Sequence, residues 1–170
     1  MRAGLTAAVI LLLAACTGAP SPTASPEPTP AESLRILAMD LWGDFPSPFT
    51  VAAATSRAEY DALWQQVGLQ IPQPEVDLER ELVLYLGMAG SSSCPERFER
   101  LVTDDTSRVY AEWASQPPGQ PCTDDLAAQG VLLAVLRSAL PSEPFLFSLR
   151  EQPVCPDCAD HPDQMVVDPR

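Results

Sequence analysis

Two cysteines and the only histidine of the chain lie close together near its C-terminal end, as Cys155, Cys158 and His161. The order Cys-x2-Cys-x2-His supplies three side chains of the types that ligate zinc, and Asp160 or Asp163 would supply a fourth. The same two cysteines also match the C-x-x-C pattern of thiol redox proteins. The segment therefore allows a metal-binding or thiol-redox interpretation.

The surroundings of these residues favour a different state. A redox C-x-x-C needs a helix N-terminus or a nearby cation to lower a thiol pKa, whereas acidic neighbours such as Asp157 raise it. Structural zinc sites usually bring together two separated pairs of ligands. We expect either a local disulfide between Cys155 and Cys158 or a loosely ordered acidic tail over residues 151–170, and we predict no metal or other cofactor.

The other polar residues do not match a catalytic pattern. A Ser-His or Cys-His mechanism would need His161 as its base, and a flexible tail would not hold it within about 3 Å of a nucleophile. The serines at 91–93 resemble a polar loop, and the adjacent acids at 104–105 and 124–125 lie in predicted turns. We therefore predict that the protein is not an enzyme.

The N-terminus has the pattern of an export signal. Arg2 precedes an apolar run over residues 5–13, which is too short to cross a bilayer, since a spanning helix needs about 20 residues. The motif Leu13-Ala14-Ala15-Cys16 resembles the lipobox of bacterial lipoproteins. This resemblance implies that residues 1–15 are a cleaved signal peptide and that Cys16 becomes the lipid-carrying first residue. It places the protein on the extracytoplasmic side of the cell membrane or the outer membrane.

Composition supports attachment through a lipid rather than through charge. The formal net charge is −13, and all ten basic residues are arginines. Such a chain repels phosphate backbones and anionic headgroups, which disfavours nucleic-acid binding and electrostatic membrane binding. Residues 16–33 are rich in Pro, Ser and Thr, and they predict an extended tether with a reach of roughly 50 Å. The membrane is thus a predicted partner through the anchor, and the sequence leaves the oligomeric state open.

Four cysteines remain after Cys16, and in an exported protein an even number predicts disulfides. Cys94 and Cys122 lie in loops that connect the same predicted strands, so we expect a bridge between them. Closing a loop of this length stabilises a fold by roughly 3–4 kcal/mol in the chain-entropy model. We interpret this bridge as structural.

The elements that would position these residues are mostly strands. Residues 56–67 predict one amphipathic helix, because Ser56 and Glu59 form a capping box and apolar residues recur at helical spacing up to Gly68. Seven apolar runs predict strands at 34–39, 50–54, 82–86, 98–102, 109–114, 131–136 and 145–149. The fold class is α+β, with the helix packed on a mostly antiparallel sheet of six to seven strands, or on a partly closed barrel, within a domain over residues 34–150.

Three aromatic residues stand in the Pro-containing loop that follows the first predicted strand. Trp42, Phe45 and Phe49 either cap the core or form a contact surface for a partner. We keep them as a candidate partner surface beside the core-capping alternative.

Residues 56–149 contain, in order, the predicted helix, Val76-Asp77-Leu78 before the strand at 82–86, Gly90-Ser91-Ser92-Ser93-Cys94-Pro95, and Cys122-Thr123-Asp124-Asp125-Leu126. This order of features resembles the PrcB C-terminal-like domain of exported proteins. That resemblance implies a non-catalytic accessory or interaction module with no catalytic residues. We expect a tethered lipoprotein that binds an envelope protein or ligand, with a metal-binding or thiol-redox lipoprotein as the alternative.

Overall fold

The computed structural model describes residues 27–28, 33–41, 44–114, 119, 121–152 and 162–170. These residues form one α-helix, α1 (Arg57–Val67), and eleven strands. All seven predicted strands and the predicted helix are present, with ends that shift by no more than two residues. In chain order the strands are β1 (Glu27–Pro28), β2 (Leu34–Leu41), β3 (Thr50–Ala54), β4 (Glu81–Gly87), β5 (Ala89–Gly90), β6 (Arg97–Thr103), β7 (Val109–Ala114), β8 (Ala127–Ala128), β9 (Gly130–Leu136), β10 (Phe145–Ser148) and β11 (Gln164–Val167).

Helix α1 begins and ends at the residues that its sequence predicts. The backbone N–H of Glu59 donates to Ser56 Oγ (3.4 Å), and the Glu59 carboxylate accepts from the backbone N–H of Ser56 (3.0 Å), which completes the capping box. Gly68 ends the helix in the left-handed region at φ 70°. The apolar stripe is buried, and it consists of Tyr60, Leu63, Trp64 and Val67.

The strands divide between two main sheets. One sheet has four antiparallel strands in the order β2-β9-β4-β3, and the other has five in the order β1-β6-β7-β10-β11, with a parallel pair only between β7 and β10. A third, two-stranded ladder joins β5 to β8. The α+β class, the single helix and the mostly antiparallel pairing are confirmed, whereas the predicted sheet of six to seven strands is wrong, and the described strands form no closed barrel.

The two-sheet arrangement follows from the central strands of the four-stranded sheet, which are apolar on both faces. In β4, Leu82, Leu84 and Leu86 belong to the core shared with the second sheet, while Val83 and Tyr85 belong to the core beneath α1. Side chains alternate between the faces of a strand, so a continuous apolar run requires a cover on each side. One helix covers one face, and the five-stranded sheet covers the other.

The folded part extends beyond the predicted boundary at residue 150. Strand β11 pairs with β10, and Val167 lies in the core between the sheets. The backbone N–H of Val51 in β3 donates to the carbonyl of Pro162 (2.7 Å), which links the edges of the two sheets. The chain over residues 153–161 therefore connects two paired strands and is not a free tail. Its own residues lie outside the described part of the chain.

Strand β1 also departs from the sequence-based expectation, because it lies within the segment predicted to be tether. Its two residues pair with β6, with Glu27 opposite Thr103 and Pro28 opposite Val102. Proline is tolerated there because β1 is the outermost strand of the sheet. An edge strand has a neighbour on one side only, so it can accommodate a residue without a backbone N–H. The chain is thus attached to the sheet before the predicted start of the domain.

Candidate functional site

The predicted disulfide lies at one end of the fold. Cys94 is bonded to Cys122, with 5.5 Å between their Cα atoms. Cys94 comes three residues before β6, and Cys122 precedes β8, so the bridge joins two loops that the β5–β8 ladder also holds together. We call this region, which consists of residues 91–96 and 121–126, the bridged loops.

A network of hydroxyl groups and one carboxylate connects the bridged loops. The backbone N–H of Thr123 donates to Ser93 Oγ (2.8 Å), and Ser91 Oγ lies 3.0 Å from Thr123 Oγ1. Asp125 Oδ1 accepts from the backbone N–H of Ser92 (3.1 Å) and from the Thr123 hydroxyl. The hydrogen bonds from Ser92 and Thr123 lower the pKa of Asp125 to about 2. The network therefore holds the two loops together through hydrogen bonds to the ionised carboxylate.

Gln129 connects the bridged loops to the sheets. This side chain is buried, and its Oε1 accepts from the backbone N–H of Glu96 (3.0 Å) while its Nε2 donates to the carbonyl of Ser91 (3.4 Å). A Cβ on Gly90 would come within 2.5 Å of Gln129 Nε2, so a larger residue at this position would displace the Gln129 amide. Gln129 therefore fixes where the loops meet the end of β6.

A cavity of about 330 Å³ opens beside Gln129, between β2, the start of β6 and the start of β9. Strand β2 is irregular here, with register shifts between Ile36 and Ala38 and between Met39 and Leu41. Asp40 lies in the left-handed region at φ 56°. Aspartate adopts this conformation more readily than most residues, and bulges are common beside functional sites. The cavity is lined by Met39, Asp40, Pro95, Glu96, Arg97, Phe98, Gln129, Gly130 and Val131.

Two opposite charges line this cavity without an ion pair to any described residue. Asp40 and Arg97 are exposed, and neither is among the five ion pairs of the described residues. Glu96, by contrast, is paired with Arg150. The cavity therefore offers one carboxylate and one guanidinium beside apolar surface from Phe98 and Val131. Sequence reasoning missed these residues, because they come from three strands that are distant in the chain.

The connection that carries the C-terminal cysteines starts at the same end. Arg150 contacts Glu96, and Trp113 Nε1 donates to the carbonyl of Leu149 (2.9 Å), which holds the end of β10 beside the start of β6. Cys155, Cys158 and His161 lie outside the described residues. Within the described ranges, no group of three or more histidine, cysteine, aspartate or glutamate residues could hold a metal ion.

The aromatic loop has two described members, and both pack against the protein itself. Phe45 stacks on Tyr85 in the core beneath α1, with ring centroids 4.6 Å apart and planes 13° apart. Phe49 is half-buried against the core between the sheets. Trp42 lies outside the described residues. The packing of Phe45 and Phe49 favours the core-capping alternative for these two rings.

Comparisons with protein-family models, with curated proteins and with solved structures found no match to this chain. Among the described residues, no helix has the length and apolar character needed to span a membrane. The signal segment and Cys16 lie outside the described residues.

Proposed function

We propose that this protein is a lipid-anchored, extracytoplasmic binding module that holds a polar ligand or a segment of an envelope protein in the cavity beside the bridged loops. The observation that carries the proposal is the juxtaposition of the Cys94–Cys122 bridge, the hydroxyl network and the cavity at one end of the fold. The function is binding rather than catalysis, in line with the sequence-based expectation.

The disulfide supports an exported location. Cys122 is exposed and Cys94 is only half-buried, so the bridge is accessible to reductants. Disulfides of this kind persist in oxidising compartments and are rare in the bacterial cytosol. Together with the lipobox motif that ends at Cys16, this favours a protein held outside the cytoplasm by its own lipid.

The cavity supports the binding role. Its volume of about 330 Å³ falls at the lower end of the range of ligand pockets, roughly 300–1,000 Å³. Asp40 would attract a cationic group, and Arg97 an anionic group, while Phe98 and Val131 would contact apolar atoms. A small ligand or a short peptide segment that carries both charges fits this lining best.

Anchoring is tested with a Cys16→Ser variant in the native host. The unaltered protein should incorporate a metabolic fatty-acid label and sediment with membranes, and the variant should do neither. A Cys94→Ser/Cys122→Ser variant is the control, because it changes other cysteines and should keep the label. Labelling that survives Cys16→Ser would refute the lipid anchor.

Binding is tested with a photo-crosslinking amino acid placed in intact envelopes. Position 126 is the probe, because Leu126 is 66% exposed at the end of the bridged loops, and position 166 is the control, because Val166 is 68% exposed on β11. A defined adduct should form from position 126 and not from position 166. The adduct should weaken when Asp40→Ala and Arg97→Ala are added. Equal adducts from both positions would contradict the proposal.

A further inference from the structure

The pairing of β1 with β6 gives the predicted tether a fixed point on the domain. Glu27 pairs with Thr103 and Pro28 with Val102, so toward lower residue numbers β1 runs toward the β6–β7 turn. That turn is ordered, because the Asp104 carboxylate accepts from the backbone N–H groups of Thr106 (2.9 Å) and Arg108 (3.0 Å). The chain on the N-terminal side of Glu27 thus leaves the sheet at the turn end of β6.

The bridged loops lie at the opposite end of the same strand. Cys94 comes shortly before Arg97, where β6 begins, and Thr103 is where it ends. Seven residues of strand span about 20 Å, at roughly 3.3 Å per residue. The candidate site therefore lies at least the length of β6 away from the point where the tether leaves the sheet.

From this geometry we infer that the domain stands on the membrane with the β6–β7 turn facing the bilayer and the bridged loops facing away from it. The inference rests on the proposed lipid anchor at Cys16. It adds an orientation and the side from which the ligand arrives, which is the aqueous or cell-wall side rather than the lipid surface.

The number of residues between Cys16 and β1 favours this orientation. Only the residues between Cys16 and Glu27 remain to span the gap, and in an extended polyproline geometry they reach about 35 Å. An inverted domain would need the tether to run back along the whole of β6, which uses about 20 Å of that reach. Because only about 15 Å of that reach would then remain to bridge the gap, fewer tether conformations allow the inverted orientation, and conformational entropy disfavours it.

The pairing itself is tested by cysteine crosslinking in a chain that carries Cys16→Ser. The pair Glu27→Cys/Thr103→Cys should oxidise readily, because these residues are opposite each other in the ladder. The pair Glu27→Cys/Glu99→Cys is the matched control, since Glu99 lies on the same strand about 13 Å further along it. Mass spectrometry of the peptides identifies the bond. Equal crosslinking of the two pairs would overturn the inference.

The orientation is tested with the mature chain coupled chemically through Cys16 to a maleimide lipid in phosphatidylcholine vesicles. This chain also carries Cys155→Ser and Cys158→Ser, so that coupling occurs at one site. A donor fluorophore is introduced as a non-natural amino acid at position 105 or 124, and the acceptor is a headgroup-labelled lipid. Position 105 should lie about 20 Å closer to the acceptor plane than position 124.

Equal or inverted distances at positions 105 and 124 would overturn the inference. Because the lipid is attached chemically, this result does not depend on whether cells acylate Cys16. Absence of fatty-acid labelling in cells would reject the native anchor alone. Equal or inverted fluorescence distances on the vesicles would reject the orientation alone.

Discussion

At the scale of single residues, the polar side chains of this domain mostly organise backbone. Asp125 shows this most clearly, because its carboxylate receives hydrogen bonds from Ser92 and Thr123 across the bridged loops. Asp104 does the same within the β6–β7 turn. Adjacent acids in turns were predicted to be solvated turn residues, and the structure adds the backbone N–H groups that they bind.

Replacing Asp125 with Asn should lower the melting temperature at pH 7. The folded protein lowers the pKa of Asp125 from its ordinary 3.8 to about 2, so its ionised form contributes stability above about pH 4. This contribution is lost as the pH falls from about 4 to about 2, and the variant and the parent should then converge. Thermal unfolding across this range measures the effect.

Asp124→Asn is the matched control for this prediction, because it removes the same charge from the neighbouring position. A similar loss of stability in both variants would show that net charge, and not the hydrogen-bond network, is responsible.

Arg137 has a comparable role at the opposite side of the fold. Its Nη2 donates to the carbonyls of Thr55 (2.9 Å) and Leu78 (3.0 Å), and its Nη1 donates to the carbonyl of Pro169. Arg137→Ala should reduce the free energy of unfolding by about 2 kcal/mol, because it leaves several carbonyls without a donor. Urea denaturation gives the value.

Arg100→Ala provides the comparison for Arg137. Arg100 forms an ion pair with Glu112 on an exposed face, and such pairs contribute less than about 1 kcal/mol. Arg137 would have no special structural role if the two substitutions had equal effects.

At the scale of elements, the local sequence predicted those helices and strands whose boundaries depend on residues within the element or next to it. Helix α1 has its capping box, its apolar stripe and Gly68 within one short stretch of chain. Strands β2, β3, β4, β6, β7, β9 and β10 were likewise recognisable from apolar runs separated by turn residues. Strands β1, β5 and β8 were missed because two residues carry no periodic signal. Strand β11 was missed because it lies in the segment that was expected to be an acidic tail.

Removing the helix cap should cost a measurable but modest stability. Ser56→Ala should lower the free energy of unfolding by about 1 kcal/mol, since an N-cap hydroxyl satisfies a backbone N–H that has no other partner. Chemical denaturation measures the change. Ser142→Ala, at an exposed position outside the helix, should change it little, and an equal loss there would contradict the capping role.

At the scale of the whole molecule, the disulfide joins two loops at the end of the fold where the proposed binding site lies. Reduction, or a Cys94→Ser/Cys122→Ser variant, should lower the free energy of unfolding by about 3.5 kcal/mol, because the bridge closes a loop of 28 residues. Unfolding in urea with and without reductant measures this loss. The core between the sheets should persist, so circular dichroism of the reduced protein should keep its β signal.

The comparison protein for this experiment is the double variant itself. Reductant should shift the unfolding midpoint of the parent and leave that of the Cys94→Ser/Cys122→Ser variant unchanged. A shift in the variant would mean that reductant acts through Cys155 and Cys158 instead.

The amino-acid sequence alone determined the features that depend on neighbours in the chain. These are the helix and its caps, most strands and the Cys94–Cys122 bridge, while the export signal with its lipobox stays a prediction. Each depends on a pattern within about a dozen residues, or, for the bridge, on two loops that connect the same strands.

Only the tertiary structure decided how the strands are shared between sheets and which residues meet at the candidate site. The apolar run of β4 indicates that both faces of the strand are buried, but it does not identify the elements that pack on them. Asp40, Arg97 and Gln129 meet at the cavity because β2, β6 and β9 converge there. Such proximity depends on packing between distant segments, and no local pattern in the chain records it.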